Sequence, residues 1–375
     1  MKEIYFDNAS TGLPVYSCPE AYFGNASTTH TLGVRAYNAL SKAKKDICQT
    51  LGCNAEELVL TSGGTESNNL AIIGYATAHK RSNMHFAALP WAHPSVTEPI
   101  KQISDLGYGR IATFDSCYNN PGCNVTDRAW LSEGANFICF PQICHETGDM
   151  YDVEKISNQL KQLNPKNIIH IDGVQGYCKE KLSLKNIDLY SFSGHKIHAP
   201  LGTGGLFVKK GVRLSALFFG GGQEMGLRAG TYNTKGIVDL AYVAKRQYES
   251  LGSNFIKVTE VKAELLKLVD EMDDVYVNSC SESSPYILNM SFMGVKGEVL
   301  VNMLSEKGIY ISTGAACKVS KKEVPALVQM GFTKDRADSA VRFSFSHYNT
   351  TKEATQASKA IIECVTTLRK IQERK

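Results

Sequence analysis

Several residues able to do covalent and acid–base chemistry stand at the ends of apolar runs. Lys196, in Ser191-Phe192-Ser193-Gly194-His195-Lys196, follows the strand-like pattern Ile187, Leu189, Phe192 and sits in a polar turn that contains a glycine. An amine delivered there can condense with an aldehyde. Upstream, Ile168-Ile169-His170-Ile171-Asp172 reads as a second buried strand ending on a carboxylate, and Gln175 follows it by three residues. An acid and a lysine at the ends of neighbouring strands suit pyridoxal phosphate: the carboxylate keeps the pyridine nitrogen protonated while the amine holds the aldehyde.

A phosphate needs its own cradle. Thr61-Ser62-Gly63-Gly64-Thr65-Glu66-Ser67 follows a strand and opens a helix, so its amides and hydroxyls face whatever sits on the helix N-terminus, where an anion is favoured. No lysine follows the glycines in Walker fashion and no GxGxxG is present, so a single small phosphate fits better than ATP or a dinucleotide. His93, just before Pro94, can stack over a flat cofactor and move protons, although a lone histidine is more often structural. Cys317 lies in the small-residue segment Ser312-Thr313-Gly314-Ala315-Ala316-Cys317-Lys318, with Lys318, Lys321 and Lys322 supplying part of the positive field that a reactive thiol needs. Arg342 interrupts the apolar run Val341 to Phe345, which leaves two readings open: an internal salt bridge or a substrate carboxylate.

The elements that must position these residues alternate. A helix over Ala36 to Leu51 stops at Gly52; strands follow at Glu57–Thr61, Met84–Leu89, Arg110–Phe114, Asn136–Phe140, Ile168–Asp172, Ile187–Phe192 and Gly205–Val208. Helices over Glu66–His79, Ser95–Leu106 and Val153–Leu163 fall between them, which predicts a mostly parallel sheet covered on both faces. From about Thr234 the texture changes: helices Gly236–Ser250 and Phe255–Asp273, strands Val275–Asn278 and Tyr286–Phe292, helix Gly297–Lys307, strands Ile309–Ser312 and Ala340–Phe345, and a C-terminal helix from Lys352. This gives a large α/β domain over 9–247 and a smaller α+β domain built from 1–8 and 248–375.

With 375 residues and a formal net charge of +4, and no block of like charges, the chain calls for neither nucleic acid nor a membrane surface. Glu3 and Asp7 break the N-terminus and no stretch reaches the length of a membrane span, so a cytoplasmic location is expected. Eleven cysteines without CxxC pairs argue against a disulfide framework, and Cys117, Cys123, Cys139 and Cys144 read as small buried hydrophobes in preference to a metal site.

Taken together, these motifs resemble the cysteine desulfurases, a class V branch of the fold-type I pyridoxal phosphate enzymes. The resemblance runs from Tyr5-Phe6-Asp7-Asn8-Ala9-Ser10-Thr11 to Val341-Arg342-Phe343-Ser344, and its most specific pieces are Thr65 to Ala71, His170 to Gln175, Ser191 to Lys196, and Gly220-Gly221-Gly222-Gln223-Glu224 running on to Thr231. It implies a large domain with a mostly parallel seven-stranded sheet plus a smaller α+β domain carrying a mobile cysteine loop. It also implies that Lys196 holds pyridoxal 5'-phosphate, that His93 stacks on the ring, that Asp172 pairs with the pyridine nitrogen and that Gln175 meets the phenolic oxygen. By the same resemblance Gly64, Thr65, Ser193 and His195 would hold the phosphate, and Thr231 would reach it from the neighbouring subunit of a homodimer. It implies too that Arg342 and Asn25 face the carboxylate of L-cysteine, and that Cys317 takes its sulfur as a persulfide for an acceptor protein, either an iron–sulfur scaffold or a tRNA-thiolation enzyme.

This chain departs from the pattern at several points. His145-Glu146-Thr147-Gly148 stands where the family has Asn-Glu-x-Gly, so a titratable ring replaces an amide close to the cofactor. Ala92 replaces a common glutamate, Met225 a common arginine and Lys318 a small hydroxyl residue. Two rival readings follow: a selenocysteine lyase or other class V lyase or aminotransferase, and a catalytically silent cofactor-binding regulator or scaffold.

Overall fold

A computed structural model describes residues 3–14, 17–19, 24–82, 84–113, 129–132, 134–313 and 325–373. The chain divides into two compact units: Leu13–Gln142 with Tyr151–Ser250, and Met1–Gly12 with Ile143–Met150 and Leu251–Lys375.

The larger unit is built on a seven-stranded sheet whose order is Leu58–Thr61, Gly204–Val208, Leu189–Ser193, Ile168–Asp172, Asn136–Pro141, His85–Ala88, Arg110–Thr113. Only Gly204–Val208 runs against the others. Asn136–Pro141 and Leu189–Ser193 are buried at every position, as strands covered on both faces are. Thr61, Ala88, Asp172 and Ser193 end their strands at one edge of this sheet, where the register pairs Asp172 with Ser191 and Ser193 with Gly204. Helices Gly64–Ala78 and Pro94–Asp105 leave from that edge. Open α/β sheets bind ligands outside the carboxyl ends of their strands.

In the smaller unit, strands Val275–Val277, Ile287–Phe292 and Ala340–Ser344 form an antiparallel sheet with Ile287–Phe292 in the middle. Ile4–Tyr5 pairs in parallel with Ile309–Tyr310. Phe6, Leu288, Met290, Phe343 and Ile361 belong to one buried cluster, in which Phe6 meets Phe345 edge-on with ring centroids 5.1 Å apart. The long helix expected over Phe255–Asp273 instead begins at Leu251 and is interrupted, giving Leu251–Leu266 and Leu268–Glu271. Among the described residues, no helix is long and apolar enough to cross a membrane.

Candidate active site

In the larger unit the sheet edge gathers most of the residues singled out by the sequence. Asp172 is buried, and its two oxygens are satisfied separately: Oδ2 accepts from Asn68 Nδ2 at 3.0 Å and Oδ1 from the Val174 amide at 3.0 Å. Asn68 Nδ2 also donates to Ser95 Oγ at 2.9 Å, and Ser95 Oγ lies 2.8 Å from His93 Nδ1. The Ser95 amide donates to the same Nδ1 at 3.1 Å. An amide N–H can only donate, so Nδ1 is the accepting nitrogen and the proton of neutral His93 is on Nε2. His93 and Asp172 are thus joined through Ser95 and Asn68, and His93 shares with Thr65 the lining of a cleft of about 510 Å³.

Gln175 is buried, and its Oε1 accepts from Lys179 Nζ at 3.1 Å. A lysine ammonium has no acceptor, so this contact dictates which end of the amide faces it and turns the NH₂ the other way. Lys196 stands in the short helical turn Gly194–Ile197, directly after Ser193. His195 beside it is pushed down to about 4, first by burial and then by the charges of Lys196 and Lys179, so it is neutral at physiological pH.

The glycine turn is shaped as a cradle. Gly63 has a φ of 150°, and a Cβ on Gly64 would lie 2.5 Å from Val174 Cγ2. Ser193 Oγ is buried there without a hydrogen-bond partner. Glu66 closes the first helical turn, accepting from the Ser62 amide at 2.8 Å and from Arg228 Nε at 2.8 Å. Arg228 and Thr231 line a second cavity of about 450 Å³ with Phe218, Phe219 and Gln223. In the same segment Glu224 and Met225 have φ values of 49° and 59°, a left-handed conformation costly for side chains of this size. The buried Glu224 carboxylate secures that turn by accepting from Lys44 Nζ at 2.9 Å and from the Leu60 amide at 2.8 Å. Asn25 is exposed, its Oδ1 accepting from the Ser27 amide at 3.0 Å.

In the smaller unit Arg342 is buried on its strand. It donates from Nη1 to the His145 carbonyl at 2.8 Å, and from Nη2 to Ser10 Oγ at 2.9 Å and Asp7 Oδ1 at 3.3 Å, while Nε is buried without a partner. The salt bridge expected as one reading is therefore present, and a donor is left over. His145 Nε2 lies 3.5 Å from Glu146 Oε1. Cys317 lies outside the described residues, as do Lys318, Lys321 and Lys322. Asn68, Lys179 and Glu224 were assigned no role from sequence.

The Aminotransferase class-V family matches residues 4–356. The chain belongs to the class V aminotransferases. It is 33% identical over 384 residues to "Cysteine desulfurase IscS" of Buchnera aphidicola subsp. Schizaphis graminum, covering 98% of this chain and 93% of that protein. It is 31% identical over 382 residues to "Cysteine desulfurase" of Nostoc sp., covering 98% and 94% respectively. A solved "NIFS-LIKE PROTEIN" superposes with a TM-score of 0.88 at 28% identity, covering 97% of this chain and 100% of that one. Class V aminotransferases of this branch depend on pyridoxal 5'-phosphate, and the residues present fit that group. The unpartnered Ser193 hydroxyl and the cradle at Gly64 offer a phosphate both a donor and room, and Asp172 is a buried carboxylate able to hold a pyridinium proton.

Proposed function

We propose that this class V aminotransferase-family chain is a cysteine desulfurase that converts L-cysteine to L-alanine and leaves the sulfur on Cys317. The observation that carries the reading is the likeness to proteins named cysteine desulfurase over 98% of the chain. The hydrogen-bonded series His93, Ser95, Asn68, Asp172 supports it. When bound, the cofactor supplies an electron-withdrawing ring that stabilises negative charge at the substrate Cα. The protein does the rest. Asp172 holds the proton of the ring nitrogen, Gln175 presents its amide hydrogens to the phenolic oxygen, and His93 covers the ring. Gly64, Thr65, Ser193 and His195 take the phosphate, with Thr231 contributed by the second copy of a homodimer.

Lys196 would hold the cofactor, and its amine, when free, would move the α-proton. Arg342 binds the substrate carboxylate with help from Asn25, and His145 stands where an asparagine is usual beside the cofactor. The Cys317 thiolate attacks the substrate sulfur, the Cβ–S bond breaks, and the net result is one alanine and one persulfide per cysteine consumed. Cys317, in the smaller domain made of 1–8 and 248–375, then passes sulfur to an acceptor protein, an iron–sulfur scaffold or a tRNA-thiolation enzyme, in a cytoplasm whose thiols keep it reduced. The cofactor stays in the domain over 9–247.

Incubation with L-cysteine tests this. The expected result is alanine release together with one added sulfur atom, mapped by mass spectrometry to Cys317. Full turnover by Cys317→Ala would overturn the persulfide route, and a yellow protein that releases no alanine would overturn the activity.

A further inference from the structure

Helix Thr31–Leu51 ends at Gly52, whose φ of 72° and ψ of 37° place it in the left-handed region. The amides of Gly52 and Cys53 both donate to the Cys48 carbonyl, at 2.8 and 3.1 Å. The bond from Cys53 is the long closure of a glycine helix cap, a turn that brings the side chain four residues before the glycine against the one just after it. That contact is ordinarily hydrophobic. Here it is made by two thiols.

The Cys48 thiol donates to the Asn54 carbonyl at 3.5 Å, so its sulfur lies on the side of the cap where Cys53 and Asn54 follow. Cys48 is buried, whereas Cys53 is partly exposed. Cys53 beside it and, to a smaller degree, Lys44 lower the Cys48 pKa while burial opposes them, and Cys48 together with burial raises that of Cys53, so the two thiols titrate as a linked pair, the inner one covered and the outer one reachable.

We propose that Cys48 and Cys53 are a reversible dithiol site that exchanges with small-molecule disulfides and closes to an intramolecular disulfide across the helix cap. Partly exposed Cys53 meets the small disulfide first: its sulfur bonds to one sulfur of the reagent, the reagent's S–S bond breaks, and one thiol leaves carrying the Cys53 proton. Cys48 then gives up its proton and attacks the Cys53 sulfur, and the second thiol is expelled and takes up that proton. Two cysteine thiols are oxidised and one small disulfide is reduced to two thiols. The loop that closes is only the helix cap itself, whose backbone is already fixed by the two bonds to the Cys48 carbonyl, so little chain has to move. Neither cysteine is the one to which the proposed function gives the sulfur, Cys317. Helix Thr31–Leu51 also carries Lys44, which holds Glu224 at 2.9 Å.

The test treats the full-length holoenzyme, without L-cysteine, with excess glutathione disulfide, then alkylates the remaining thiols and maps the tryptic peptide from Asp46 to Lys80, which contains both cysteines. The expected product is that peptide with two hydrogens fewer and no alkyl group on either cysteine, restored by dithiothreitol. In Cys48→Ser the reagent stays on Cys53 as a lasting mixed disulfide, and in Cys53→Ser position 48 keeps its thiol. A wild-type protein that accumulates the mixed disulfide at Cys53 with Cys48 still reduced would overturn the proposal. So would unchanged alkylation of both residues.

Discussion

Asn68 uses one amide nitrogen to bridge Ser95 Oγ at 2.9 Å and Asp172 Oδ2 at 3.0 Å, tying the buried acid at a strand end to a helix N-terminus that begins at His93. All three groups are buried, so the bridge cannot be replaced by bulk water. Asn68→Ala leaves Asp172 short of a donor and is expected to cost about 1–3 kcal/mol of stability. Asn68→Asp sets a second carboxylate against the first and is expected to cost more. Urea midpoints and retention of bound cofactor measure both; an Asn68→Ala protein equal to wild type in each would remove the bridge from the account.

Lys179 fixes the orientation of Gln175 through its contact at 3.1 Å with Oε1. With Lys179→Met the oxygen loses its donor and the amide is free to turn, so the proton affinity of whatever faces the NH₂ changes. The pH titration of the cofactor's visible absorption is expected to move by on the order of one unit, while Lys179→Arg, which keeps a donor, stays near wild type. Borohydride labelling of Lys196 separates this effect from loss of the cofactor. A titration identical in Lys179→Met and wild type would show that Gln175 is held by other means.

His170 gives the larger unit an acid limit. Burial pushes its pKa down to about 3, Nε2 lies 2.9 Å from Ser191 Oγ, and Nδ1 is buried without a partner. A protonated ring would bury a charge and an unsatisfied N–H. The unfolded chain therefore binds this proton more readily than the folded one: the stabilisation is complete above about pH 6.5 and is lost as pH falls toward the folded value. Between pH 7 and pH 5 the loss from this one group is about 2 kcal/mol. His195 and His198, both pushed down to about 4 chiefly by burial, act in the same direction. Urea melts across that range are expected to show a falling midpoint, with a shallower fall in His170→Asn.

Arg342 joins the strand Ala340–Ser344 to the N-terminal segment through Asp7 and Ser10. Arg342→Met leaves Asp7 without its cation and the His145 carbonyl without its donor, for an expected cost of about 3 kcal/mol. Arg342→Lys restores a charge without the fork geometry, so it should recover much of the stability yet raise the KM for L-cysteine. Denaturation and steady-state kinetics of the pair check this; equal KM values in wild type and Arg342→Lys would argue against a substrate carboxylate at this side chain.

How far these features could be read beforehand differs with their physical basis. Strands such as Ile168–Asp172 and helices such as Val153–Leu163 are recognised because local burial writes itself into local pattern: a short, mostly apolar run in one case, a helical period in the other. Lys196, Asp172 and the Thr61–Ser67 turn stand out because each is a polar break at the end of such a run. Asn68 gives no such signal, since an asparagine inside a helix looks like any solvated position, and the acid it holds is 104 residues away in the chain. Lys179 reads as a surface lysine for the same reason. Nor does composition advertise that Ile143–Met150 leaves the larger unit, because the excursion is short and closed by a single bridge between Ile143 and Met150.

The opening residues of the chain have a late partner. Ser344 donates its amide to the Phe6 carbonyl at 2.7 Å and accepts from the Asn8 amide at 3.2 Å, while Ile4 and Tyr5 lie along Ile309 and Tyr310. During synthesis the segment Ile4–Asn8 must wait until Ser344 has emerged before it can complete these bonds, whereas the α/β unit between them in sequence can assemble ahead of it. Nascent chains stalled short of Ser344 should accordingly hold a protected α/β unit and a protease-sensitive segment at Ile4–Asn8.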